Sequence, residues 1–79
     1  MEFTVKGRRY SLTKQAVEER LRDVQPEPVV RHAVVIEGRV FPPKQVLAEA
    51  LGIDRLSFTT AQARDILDRL GFELMRRQE

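Results

Sequence analysis

Two consecutive prolines, Pro42 and Pro43, stand where a run of β-branched residues ends and a helical pattern begins. Each ring holds φ near about −65° and neither residue has an N–H to offer a β-ladder. A strand must therefore stop at Phe41. A helix can start at once, because a proline in its first turn gives up only an N–H that would have no partner anyway. The residues on either side fit that corner. His32 to Ile36 reads as a strand, Glu37-Gly38 as a two-residue turn, and Arg39 to Phe41 as the return strand. This hairpin over 32–41 sets Val35 opposite Val40 and Val34 opposite Phe41. Beyond the corner, Val46, Leu47, Ala50 and Leu51 make the apolar face of a helix over 43–51, and Gly52 is placed for a left-handed cap.

The segments on either side are patterned in the same way. Phe3 and Val5 alternate with polar residues around Lys6-Gly7, which predicts a hairpin over 2–10. Thr13 is placed to cap a helix over 13–24, with Val17, Leu21 and Val24 as its apolar stripe and Glu18 and Arg22 as an outer i,i+4 pair. Pro26 and Pro28 end it and make a short extended connector. After Gly52, Leu56 and Phe58 are expected to plug the core. Thr59 and Gln62 have the spacing of a capping box for a helix over 60–70, with Ala63, Ile66, Leu67 and Leu70 facing inward and Asp65 paired with Arg69. Gly71 ends that helix, Phe72 gives the hydrophobic contact of its cap, and a last short strand is expected over 72–75, with Arg76 to Glu79 frayed. The expectation is one domain over 1–79 of the α+β class: a small antiparallel sheet packed by three helices.

Totals narrow the function. With 79 residues there is room for one core. No cysteine is present, so disulfides, thiolate chemistry and thiolate metal sites are absent. Charged residues run through Met1 to Tyr10 where a signal peptide would carry an apolar stretch, and no apolar run approaches the roughly 20 residues that span a bilayer. A cytoplasmic address without a membrane partner is the expectation. Fourteen basic residues against twelve acidic give a net charge of +2, too little to argue for nucleic acid by itself.

Catalysis has little material. His32 is the one histidine, no second ligand is spaced to join it in a metal site, and the carboxylates sit on polar helix faces. The expectation is no enzyme, no cofactor and no metal. Binding has more. Arg8 and Arg9 adjoin Tyr10 on a short strand, Arg39 follows a hairpin turn, and Lys44 follows the proline corner. A helix start favours anions, so a lysine there is either a solvated first-turn residue or a contact for an incoming phosphate that Arg39 could share. Phe3, Phe41, Phe58 and Phe72 fall on core faces, which leaves Tyr10 alone as a surface aromatic.

"FPPKQVLAEALG" followed by "FTTAQARDILDRLGF" resembles the N-terminal head domain of ScoMcrA-like modification-dependent restriction endonucleases. The pattern residues are Phe41, Pro42, Pro43 and Lys44, then Gly71 and Phe72. That resemblance implies a bacterial accessory module in a DNA-related or defence setting, without the HNH nuclease centre that cuts in those enzymes. Duplex DNA held through its backbone by Arg8, Arg9, Arg39 and Lys44 is the expected partner. The alternative is a protein partner or a homodimer, with no nucleic-acid role.

Overall fold

The hairpin turns set the strand registers. In the computed structural model, which describes residues 1–76, Lys6-Gly7 and Glu37-Gly38 all have positive φ, at 52°, 78°, 48° and 79°. This is the turn form whose twist matches antiparallel strands, and it makes a non-glycine residue adopt the left-handed region at Lys6 and Glu37. Strands β1 (Glu2–Val5) and β2 (Arg8–Ser11) pair across the first turn, β3 (His32–Ile36) and β4 (Arg39–Phe41) across the second. Val34 faces Phe41 and Val35 faces Val40, as the turn position requires.

Three helices follow the expected order: α1 (Lys14–Leu21), α2 (Pro43–Leu51) and α3 (Thr60–Arg69). Thr59 and Gln62 form the full capping box of α3. At its other end Gly71 has φ 99°, its N–H reaches Asp68 O at 2.9 Å, and Phe72 N–H reaches Leu67 O at 3.1 Å. Those two bonds are a Schellman cap. They also explain why the last strand, β5 (Glu73–Arg76), starts one residue later than expected: Phe72 has already given its N–H and its ring to the cap and core. Arg76 belongs to β5 and is not frayed, whereas the expectation for 77–79 lies outside the described residues.

The hairpins do not share a sheet. β1 and β2 stand alone, and a second sheet runs β4-β3-β5, all antiparallel. β4 has three residues and runs into Pro42, so it offers too little ladder to accept another strand. One core still joins everything, with Val5, Val17, Leu21, Val34, Ile36, Phe41, Val46, Leu47 and Leu67 all fully buried. Phe3 is only half-buried and stacks on Tyr10, with ring centroids 6.1 Å apart.

Two local expectations are corrected. Leu56 is 81% exposed. Asp54 accepts a hydrogen bond from Leu56 N–H at 2.8 Å and starts a single 3-10 turn, Arg55–Ser57, that throws Leu56 outward while Phe58 alone enters the core. Arg22 does not pair with Glu18: its Nε meets Glu37 Oε1 at 3.2 Å, because α1 ends at Leu21 and the β3–β4 turn comes within reach. Asp65 and Arg69 do pair, at 3.6 Å on an exposed face.

Candidate functional site

The proline corner makes an unusual helix start. Pro42 is extended (φ −66°, ψ 137°) and stands as the N-cap of α2 with no side chain to bond the free amides; Pro43 follows at the first helical position, and no acidic residue lies in the first turn. Gln45 turns inward instead of toward solvent and is buried. Its Oε1 accepts from Glu27 N–H at 2.9 Å and its Nε2 donates to Gln25 O at 2.8 Å. One amide side chain thus satisfies two backbone groups of the connector and holds the chain from Gln25 onward beside the corner.

A cleft of about 330 Å³ results, with Pro28 and Val30 on the connector side and Pro42 and Pro43 on the other. Arg31, Lys44 and Arg55 bring cations to it. Arg55 grips Glu27 with both terminal guanidinium nitrogens, each at 2.8 Å, and this pair holds the Glu27 carboxyl below the usual carboxylate range. The half-buried Lys44 stands with Nζ 5.9 Å from the centre of the Phe58 ring. That contact near the limit of a cation–π interaction supplies part of an architectural reason for a lysine at a helix start.

His32 lines the same cleft. Strand pairing puts Arg76 directly opposite it. Its Nδ1 is buried without a hydrogen-bond partner among the described residues, and so is Arg64 Nε on α3. Burial pushes the imidazole pKa below its ordinary value, and the guanidiniums of Arg64, Arg76 and Arg31 push it further in that order. None of Arg31, Lys44, Arg64 and Arg76 forms an ion pair with a described residue; Glu2, Glu37, Glu27 and Asp65 pair with Arg9, Arg22, Arg55 and Arg69. Three guanidiniums, from the connector, α3 and β5, therefore act on one imidazole, while Lys44 and the Glu27–Arg55 pair line the same cleft.

The depressed pKa has a consequence for stability. Folded His32 binds its proton less tightly than the unfolded chain does, so folding is strongest above the ordinary imidazole value of 6.5 and weakens as pH falls through the lower folded value. Urea midpoints taken at pH 7.5 and pH 5 are expected to show a drop in the wild-type protein and a smaller one in His32→Gln. Equal drops in the two proteins would remove His32 as the cause.

The residues singled out in the sequence are scattered. Arg8 and Arg9 lie on β2, outside the cleft, and Arg9 bonds the exposed Glu2 at 2.7 Å. Arg39 is committed to the fold. Its Nη1 donates to Val24 O at 2.9 Å, its Nη2 donates to Leu21 O, and its guanidinium lies 5.0 Å over the Phe41 ring. It caps the C-terminal end of α1, where unpaired carbonyls and the helix dipole favour a cation. The helix it caps ends at Leu21, short of the expected Val24. Of the four expected contacts only Lys44 reaches the cleft, and the expected sharing of a phosphate with Arg39 is not what the geometry offers. Gly71 and Phe72 serve the cap of α3.

The residues that do assemble, Arg31, His32, Arg64 and Arg76, carry no local signal. His32 and Arg76 meet only through β3–β5 pairing. The spacing of Thr60 and Arg64 puts both on one face of α3, and Thr60 lines the cleft.

Among the described residues no group of His, Asp and Glu is placed to hold a metal, and no helix is long and apolar enough to cross a membrane. No curated protein and no solved structure matches the chain. A family model described as SCO5918-like matches residues 3–79.

Proposed function

We propose that this chain, which belongs to the SCO5918-like family, is a non-enzymatic module that holds duplex DNA weakly through phosphate groups. The observation that carries the reading is a set of cations with no ion-pair partner among the described residues: Arg31 and Lys44 line the cleft with His32 beside the uncapped start of α2, and Arg31, Arg64 and Arg76 act on that imidazole. Cations gathered without ion-pair partners repel one another unless an anion arrives, and phosphate suits the fork geometry of a guanidinium. The flanking prolines and valine offer no hydrogen bonds to base edges, so contact would be with backbone and tolerant of sequence. The likeness of Phe41–Lys44 to the head domain of ScoMcrA-like restriction endonucleases favours DNA as the source of phosphate; the family description itself carries no such reference. A bacterial, cytoplasmic setting is part of the same proposal.

Titration of a short labelled duplex tests it. Three or so phosphate contacts give a log–log salt slope of about −3, which weakens binding on the order of 50-fold between about 50 and 200 mM salt. Lys44→Glu and Arg64→Glu are each expected to weaken low-salt binding by roughly tenfold while circular dichroism stays native. Absence of binding at low salt, or affinity indifferent to both substitutions, overturns the proposal.

A second reading has its own observation. The outer face of the three-stranded sheet carries an apolar groove of about 220 Å³ beside Ala33, with Val40 41% and Met75 48% exposed. Such a face suits a protein partner or a second copy. Light scattering across a concentration series decides it: a strict monomer at every concentration removes the homodimer.

A further inference from the structure

The shape and charge of the cleft bear on which phosphate it takes. It is concave, with Pro28 and Val30 facing Pro42 and Pro43 across about 330 Å³. Three cations line it, Arg31, Lys44 and Arg55, against the single carboxylate of Glu27, which leaves a charge of two beside a neutral imidazole. An internal phosphodiester brings one negative charge and a chain that must leave in two directions. A terminal phosphate brings about 1.5 to 2 negative charges near neutral pH, three oxygens that accept hydrogen bonds, and one tether.

We propose that this cleft is a phosphomonoester site that takes the 5′-phosphate at the end of a DNA strand. The inference rests on the backbone-binding reading for its source of phosphate but on the cleft alone for its chemistry. Lys44 and Arg31 meet the dianion from opposite walls, and the amides at the start of α2, which no side chain caps, lie at the Lys44 end. Arg55 is held in place by Glu27 through two 2.8 Å bonds, so it arrives already oriented at modest entropic cost. His32 closes the cleft with a ring that carries an unpartnered nitrogen and is crowded by Arg31, Arg64 and Arg76. A dianion beside it offsets that crowding, and the ring then donates a hydrogen bond to a phosphate oxygen. The apolar walls of proline and valine face the sugar of the terminal nucleotide, which needs no polar partner there.

The experiment compares two duplexes of identical sequence, one with 5′-phosphates and one with 5′-hydroxyls, in parallel with a titration of deoxyadenosine monophosphate followed through the ring signals of His32 by NMR. The 5′-phosphorylated duplex is expected to bind roughly tenfold tighter. Lys44→Gln is expected to cut that ratio to about twofold, and deoxyadenosine monophosphate is expected to shift the His32 signals of the wild-type protein and to displace the phosphorylated end. Equal affinity for the two duplexes, without a His32 shift, overturns the monoester site and leaves the backbone reading standing. Neither duplex binding while the mononucleotide still shifts His32 upholds the monoester site with a free nucleotide as its source and removes the DNA reading. No duplex binding and no shift overturns both.

Discussion

A Phe41→Ala chain is expected to lose about 3–5 kcal/mol of folding free energy. The ring is fully buried at the last position of β4, opposite Val34 on the central strand and immediately before the proline corner. Arg39 lies 5.0 Å over one face of the ring, so truncation removes core packing and the cation–π contact together. The site has little freedom to collapse, since Pro42 and Pro43 are stiff on one side and the β3–β4 ladder holds the other. Typical stabilities of about 0.05–0.15 kcal/mol per residue put the whole domain at about 4–12 kcal/mol, so the variant sits near its unfolding limit. Urea denaturation reads the effect. A loss under about 1.5 kcal/mol would mean that this ring is not a keystone of the core. Val40→Ala is the matched control: Val40 is on the outer face of the same strand and 41% exposed, so its loss is expected to be small.

Arg39→Met is expected to cost about 2–3 kcal/mol, on the scale of hydrogen bonds made by charged donors. Methionine keeps much of the stem packing but leaves the carbonyls of Leu21 and Val24 without the guanidinium that bonds both. Arg39→Lys is expected to fall between, because one ammonium does not reproduce a fork that reaches two carbonyls. Denaturation midpoints within about 0.5 kcal/mol of wild type would show that the cap contributes nothing measurable. The same variant separates architecture from binding. Once folded, Arg39→Met is expected to bind duplex DNA almost as well as wild type, whereas Lys44→Glu is not.

Those two residues mark where sequence reading reaches its limit. Phe41 was legible as core because a two-residue turn at Glu37-Gly38 leaves one register, and that register puts Phe41 opposite Val34. Arg39 sits two residues away, and its side chain reads locally as a surface cation past a turn. Its role depends on where α1 ends, which the sequence spacing puts at Val24 and the structure puts at Leu21, whose carbonyl takes the guanidinium. Gln45 is a similar case. It falls at a polar position of α2 by pattern, yet it is buried because the connector's Glu27 N–H and Gln25 O need an amide there.

By itself the sequence determined the parts governed by neighbours along the chain. These are the two positive-φ turns, the capping box at Thr59 and Gln62, the glycine caps, the halt of β4 at Pro42, and hence the α+β class. Each rests on backbone sterics or on hydrogen bonds that span a few residues. Only the tertiary structure decided that the hairpins part into two sheets, that Arg39 turns inward, that Arg31, Arg64 and Arg76 act on His32, and that Lys44 lines the same cleft. The physical reason is the same in each case. Charge acts through space, and the strands and helices that bring those charges together are distant in the chain, so no local spacing records their meeting.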